Sequence, residues 1–103
     1  MRIAVVSACS AGIASTYMAA EALELAAKSR GHWIKAETQG TLGIENEITP
    51  KEAQSVDVVI FAADIQIRNR ERFAGRPIFE VGVAEAIRHA DTVIRRLEDK
   101  LAH

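Results

Sequence analysis

At 103 residues the chain has room for one domain around a single core, since domains typically run to about 100–150 residues. A composition that is 49% hydrophobic and 26% charged excludes a disordered chain. Thirteen basic residues against fourteen acidic ones leave a net charge of -1, which removes any general electrostatic reason to bind nucleic acid.

Ile3-Ala4-Val5-Val6 is a short continuous apolar run rich in β-branched residues, the pattern of a strand covered on both faces. Residues 14–29 then read as a helix. Met18, Ala22 and Leu25 recur at steps of four and three, Glu24 and Lys28 form an i,i+4 pair, and Gly31 follows as a stop. Trp33 to Thr38 alternates, with Ile34 and Ala36 on one face and Lys35 and Glu37 on the other, as an edge strand does. Thr49-Pro50-Lys51-Glu52 has the form of a capped helix start, with Pro at the first helical position; this helix should end near Ser55. Val58-Val59-Ile60-Phe61 is a second central strand, and Pro77 to Val81 an edge strand that opens on a residue unable to donate to a ladder. From Val83 the apolar residues Ile87, Ala90, Ile94, Leu97 and Leu101 follow at helical steps, and Asp91 is a candidate cap that would divide this tail in two.

Strands alternating with helices imply right-handed crossovers. The expected fold is α/β: an open four-stranded parallel sheet of order 2-1-3-4 with helices on both faces, of the Rossmann-like or flavodoxin-like class, in one domain over residues 1–103. The longest unbroken apolar run, Val58 to Ala63, is far short of the roughly 20 residues that span a bilayer, so no direct membrane insertion is expected. A single cysteine closes no internal disulfide, and Met1-Arg2 runs straight into a strand without a cleavable leader; both favour a cytoplasmic location.

The stretch "SACSAGIASTYMAAEAL", residues 7–23, puts the only cysteine between the first strand and the first helix, where an open α/β sheet binds its ligands. A turn that feeds a helix leaves backbone N–H groups unpaired at the positive end of the helix dipole, which makes an anion site. Gly12 lets the backbone approach a ligand, and Ser10, Ser15 and Thr16 add hydroxyl donors. A thiol inside such a ring has its thiolate stabilised, from about 8.5 towards the roughly 3.5–7.5 range of helix N-termini. Cys9 is therefore the candidate nucleophile, and Ser10, Ala11, Gly12, Ile13, Ala14, Ser15 and Thr16 the candidate phosphate-binding loop. Simple packing is the plainer alternative, free cysteine being among the most buried residue types.

Low-molecular-weight tyrosine phosphatases carry a cysteine at this structural point and an arginine that clamps the phosphate; here the corresponding position is Ser15, which weighs against hydrolysis. Disulfide exchange wants a resolving cysteine, and the sequence has none. A phosphoryl carrier fits better. A phosphate-sensing regulatory module and a phosphatase-like hydrolase remain the alternatives.

Several blocks across the chain resemble one family: "TYMAAEAL" (16–23), "ETQGTLGIENEIT" (37–49), "AADI" (62–65), "ERFAG" (71–75) and "VAEAI" (83–87). In order and spacing they resemble the IIB components of the bacterial phosphoenolpyruvate-dependent sugar phosphotransferase system, fructose type. The resemblance implies a phosphotransferase in which a histidine-phosphorylated IIA partner donates to the cysteine matching Cys9. The phosphocysteine then phosphorylates a sugar, fructose or a related hexose, held by the membrane IIC permease during uptake. It implies no cofactor and no metal. In the loop itself Ser10, Ala11 and Ser15 stand where fructose-type members usually have Pro, Thr and His, and "CSAG" resembles the lactose and cellobiose branch.

Arg68, Arg70 and Arg72 follow the third strand at the edge of the predicted cleft, where they would receive an acidic partner or steer a phosphorylated donor. The plainer expectation for each is a solvated face. Asp64, at the carboxyl end of the third strand, is placed to line the cleft or to cap the next segment, and capping is favoured because its charge disfavours a nearby phosphate. Gln39-Gly40-Thr41 should lie at the same end of the sheet as Cys9 and shape its rim. His32, His89 and His103 lack metal-like spacing and read as surface residues, and Trp33 as half-buried packing. Gly40 and Gly43 bracket a loop without the lysine of a nucleotide-binding motif.

Overall fold

The structure, a computed structural model, describes residues 1–10 and 13–101, with Ile13 described by its backbone only. Strand β1 (Arg2–Ala8) leads through helix α1 (Ile13–Ser29) to β2 (Trp33–Gly40) and a short β3 (Gly43–Glu45). After α2 (Pro50–Ala53) come β4 (Val58–Ala63), a 3-10 turn over Arg70–Phe73, β5 (Ile78–Val81), α3 (Val83–Arg88) and α4 (Ala90–Leu101).

The sheet runs β3-β2-β1-β4-β5. β1 pairs in parallel with β2 and β4, and β4 with β5, so the four expected strands keep their expected order. The expectation of a four-stranded, all-parallel sheet is nevertheless corrected to a mixed sheet of five strands. β3 returns antiparallel along β2, with Gly40 opposite Gly43 and Thr38 opposite Glu45. Gly43, at φ 103°, adopts a conformation that side chains disfavour, and this lets the chain reverse across Thr41-Leu42. β2 is thus covered where it meets β3 and is not an edge there.

Helices α1, α3 and α4 cover one face of the sheet, packing on Ile3, Val5, Ile34, Val58 and Ile60. The other face carries Ala4, Val6, Val59 and Phe61 and is closed by α2, the 3-10 turn and the loop residues Ile48 and Ile67. There Phe61 and Phe73 meet edge to face, their centroids 5.7 Å apart. The short α2 carries its expected cap: the Glu52 amide donates to Thr49 Oγ1 at 3.1 Å, and the Thr49 amide to Glu52 Oε1 at 2.9 Å.

Two expectations about the helices are revised. In α1 the face on the sheet is Ala19, Ala20, Leu23 and Ala27, while Met18 and Leu25 of the expected stripe are 53% and 63% exposed. Small alanines allow close approach of helix to sheet, and the larger side chains are left on the outer surface. Gly31 does end α1: its N–H donates to Lys28 O, and that of His32 to Ala27 O, both at 3.0 Å. These are the paired bonds of a left-handed glycine cap. The tail divides at His89, ahead of Asp91, which lies in the first turn of α4 and pairs with Arg95 at 3.2 Å.

His32 is also revised from a surface residue. Its side chain is 11% exposed and bridges the Met1 ammonium, 3.1 Å from Nδ1, and Glu98, 2.5 Å from Nε2. The Arg30 guanidinium bonds the same carboxylate, and with His32 it lowers the Glu98 carboxyl to about 2. His89 is exposed, and His103 lies outside the described residues. Trp33 is 39% exposed under the Arg2 guanidinium, 4.0 Å from the ring centre.

Candidate functional site

Cys9 is the first residue beyond β1, at the carboxyl end of the central strands. The ladder sets its surroundings: Ala8 stands opposite Gln39 on one side and Ala63 on the other, and the Asp64 amide donates to Ala8 O at 3.1 Å. Cys9 is only 6% exposed, yet it lines an open pocket of about 160 Å³ with Ser10, Gln39, Gly40, Thr41, Ile65 and Arg68. The expected rim of Gln39, Gly40 and Thr41 is therefore present. Cys9 Sγ lies 3.8 Å from Asp64 Oδ2, within reach of a weak thiol donor. Asp64 Oδ1 accepts from the Val83 amide at 3.4 Å, so this residue reaches the start of α3 and also faces the thiol. Capping, the favoured expectation, is thus joined by the alternative of a residue facing the cleft.

The loop residues singled out from sequence are spread more widely. Ser10 is exposed on the pocket wall. Ala11 and Gly12 lie outside the described residues, and Ile13 begins α1. Ala14 is exposed and Ser15 half-buried. Thr16, 1% exposed, lines a separate small recess with Tyr17, Thr38 and Glu45 against the β2–β3 hairpin, where the Tyr17 hydroxyl donates to Glu45.

A buried ionic network underlies the pocket, and its centre lies on the face of β2 opposite Ile34 and Ala36, as alternation gives it, but that face is covered. Glu37, on the polar face of an expected edge strand, is fully buried. Its partner is Arg72, expected to be solvated, whose side chain is 5% exposed. Arg72 Nη1 donates to Glu37 Oε1 and Nη2 to Oε2, both at 2.6 Å, and Nη1 donates also to Ile48 O. The Ile48 amide donates to Oε1 at 2.7 Å and Gln39 Nε2 to Oε2 at 2.8 Å. Burial pushes the Glu37 carboxyl up, but the bonds from Arg72, Gln39 and Ile48 outweigh it and hold the group below its ordinary value. Four donors thus satisfy an ion whose desolvation alone would be prohibitive.

Gln39, itself 2% exposed, carries this network to the rim. Its Nε2 donates to Arg68 O at 3.0 Å, and its Oε1 accepts from the Arg68 amide at 2.8 Å. Both backbone groups of Arg68 are held. The next residue, Asn69, has a left-handed φ of 59° and turns the chain sharply. The three arginines consequently part company. Arg68 lines the Cys9 pocket, Arg70 lies over the Phe61 ring at 5.2 Å, and Arg72 enters the core.

Residues 4–96 match the family model described as "PTS system, Lactose/Cellobiose specific IIB subunit". The chain belongs to the IIB family of the sugar phosphotransferase system. It is 48% identical to "PTS system fructose-like EIIB component 2" of Escherichia coli K12, over 98% of this chain and 95% of that one. It is 42% identical over 94% of its length to the "Fructose-like PTS system EIIBC component" of the same organism, of which it spans 20%. Among solved structures, a domain of the fructose-specific IIABC component of Borrelia burgdorferi superposes with a TM-score of 0.87 at 40% identity, covering 92% of this chain and 90% of that one. The chain is accordingly a fructose-like IIB protein, and IIB proteins are phosphotransferases acting in sugar uptake. Members work with IIA and IIC components, and the longer Escherichia coli relative carries IIB and IIC in one chain. Among the described residues no helix is long and apolar enough to cross a membrane.

Proposed function

We propose that Cys9 of this IIB protein is the residue phosphorylated. Its thiolate attacks the phosphorus of a phosphohistidine on a IIA partner. The S–P bond forms as the N–P bond breaks, the bonding pair returns to the imidazole, and the thiol proton is lost to solvent. A hydroxyl of a sugar held by the IIC permease, fructose or a related hexose, then attacks the same phosphorus. The S–P bond breaks, the thiolate leaves and the hydroxyl proton is released. The backbone N–H groups of residues 10–16, with the Ser10 hydroxyl, hold the phosphoryl oxygens during both steps. The work is done at the cytoplasmic face of the membrane, where the permease presents its sugar.

The observation that carries this reading is the placement of the only cysteine, at the carboxyl end of β1 on the wall of an open pocket. Ordinary core packing offers no reason for that opening. The test is incubation with phosphoenolpyruvate, the general phosphotransferase proteins and a IIA partner, followed by mass spectrometry of intact protein and peptides. One phosphoryl group on the peptide that holds Cys9, absent in Cys9→Ser, is expected. A phosphoryl group found elsewhere, or on neither protein when IIA itself is phosphorylated, overturns the assignment.

A further inference from the structure

The loop "CSAGIAST", residues 9–16, holds no basic residue, although a phosphoryl group on sulfur carries close to two negative charges near neutral pH. Backbone amides and hydroxyls supply partial charges only. The pocket makes up the difference from another segment. Of the described residues that line it, Cys9, Ser10, Gln39, Gly40, Thr41, Ile65 and Arg68, only Arg68 is charged.

We propose that Arg68 is the cation that binds the phosphoryl oxygens on Cys9, a part its neighbours Arg70 and Arg72 do not play. The inference rests on the reading of Cys9 as the phosphoryl acceptor. Three observations separate Arg68 from an ordinary surface arginine. Its backbone N–H and C=O are both bonded by one buried side chain, Gln39, so the attachment point of the long side chain is fixed on the pocket wall. Gln39 is held in turn by the Glu37–Arg72 pair, which ties that wall to the core. The guanidinium has no acidic partner among the described residues, whereas Arg72 is spent on Glu37, and Arg70, also without one, lies over the Phe61 ring away from the Cys9 pocket.

The chemistry suits the position. A guanidinium keeps its charge at any pH of interest and offers N–H donors in a fixed fork that matches two phosphoryl oxygens at once. Asp64, with Oδ2 3.8 Å from the sulfur, adds a negative charge that a bound phosphoryl group must tolerate. A cation on the pocket wall offsets it. Binding is favoured in the phosphorylated form and in the transfer states that lead to it, since neither the thiol nor the empty pocket offers Arg68 an anion of comparable charge.

The experiment compares wild type with Arg68→Gln and Arg68→Lys. Inorganic phosphate is first titrated into each unphosphorylated protein while the amide resonances of Ser10 and Thr41 are followed. The initial rate of phosphoryl transfer from phospho-IIA to Cys9 is then measured at low and high salt. Because the Arg68 side chain has no hydrogen-bond or ion-pair partner among the described residues, the spectra away from the pocket should be unchanged. Loss of one charge-assisted contact is expected to weaken phosphate binding and slow transfer on the order of tenfold in Arg68→Gln. Arg68→Lys should recover part of both, and the salt dependence should be shallower in the Gln variant. Phosphate affinity and transfer rate within twofold of wild type in Arg68→Gln overturn the inference, even with Cys9 fully phosphorylated. A wild-type Cys9 that takes no phosphoryl group overturns the underlying assignment instead, and equal phosphate affinity in wild type and Arg68→Gln overturns the role of Arg68 independently of it.

Discussion

Replacing Glu37 by Gln keeps the size of the side chain and removes its charge, which isolates what the buried ion pair contributes. The carboxylate accepts from Arg72 Nη1 and the Ile48 amide on one oxygen, and from Arg72 Nη2 and Gln39 Nε2 on the other. A carboxamide has one acceptor oxygen, so in either orientation its NH2 faces two of these donors. Gln39 has a second acceptor in Arg68 O, but the guanidinium keeps only Ile48 O and whatever one amide oxygen provides. Arg72 Nε has no partner among the described residues to compensate. Breaking a buried pair from one side costs about 3–5 kcal/mol, a large share of the roughly 5–15 kcal/mol by which domains are stable. At the lower figure Tm should fall by roughly 12 °C or more, and urea unfolding should shift to match. Glu37→Leu combined with Arg72→Met should be less destabilised than the sum of the two single variants, since the pair is then removed without stranding a charge. Hydrogen exchange at the Arg68 amide, protected through Gln39, should accelerate in Glu37→Gln. A loss below about 1 kcal/mol, or double-variant losses that simply add, would refute the view that this network holds the pocket wall.

Further consequences concern charge. Asp64→Asn retains an oxygen to accept from the Val83 amide while removing the negative charge 3.8 Å from the sulfur. Two unit charges about 4 Å apart interact by up to about 4 kcal/mol near a protein surface, and Asp64 is exposed, so about 1 kcal/mol is the expected gain for phosphocysteine. The equilibrium ratio of phosphorylated IIB to phosphorylated IIA should rise several-fold, and an unchanged or lower ratio counts against Asp64 acting on the sulfur. Glu98, lowered from 4.5 to about 2 first by the Arg30 bond and then by His32, stabilises the folded state fully above its unfolded value. That contribution is lost as pH falls from about 4.5 to about 2, because protonation is then easier in the unfolded chain. Glu98→Gln should flatten the acid limb of stability against pH, and a limb identical to wild type would show that the Arg30–His32–Glu98 cluster does not set it.

The sequence by itself determined what depends on neighbours along the chain. Continuous β-branched runs marked β1 and β4, Thr49-Pro50-Lys51-Glu52 specified its own cap, Gly31 ended α1, and one thiol at a strand-to-helix turn marked the candidate site. Short-range sterics and hydrogen bonding decide all of these, so a few residues suffice to read them. Matched blocks likewise pointed to the family before any geometry was known. Only the tertiary structure decided which polar residues are buried and which arginine shares a pocket with the thiol. Alternation put Glu37 on the polar face of an edge strand and gave no sign of its burial, because nothing near it in sequence announces Arg72, 35 residues away, as the group that makes that burial tolerable. The alanine face of α1 prevailed over its larger apolar stripe because closeness to the sheet matters more there than side-chain size. Arg68, Arg70 and Arg72 look alike as a string. A left-handed turn at Asn69 and two bonds from a buried glutamine send them to different places, and the energies that do so come from contacts between distant segments.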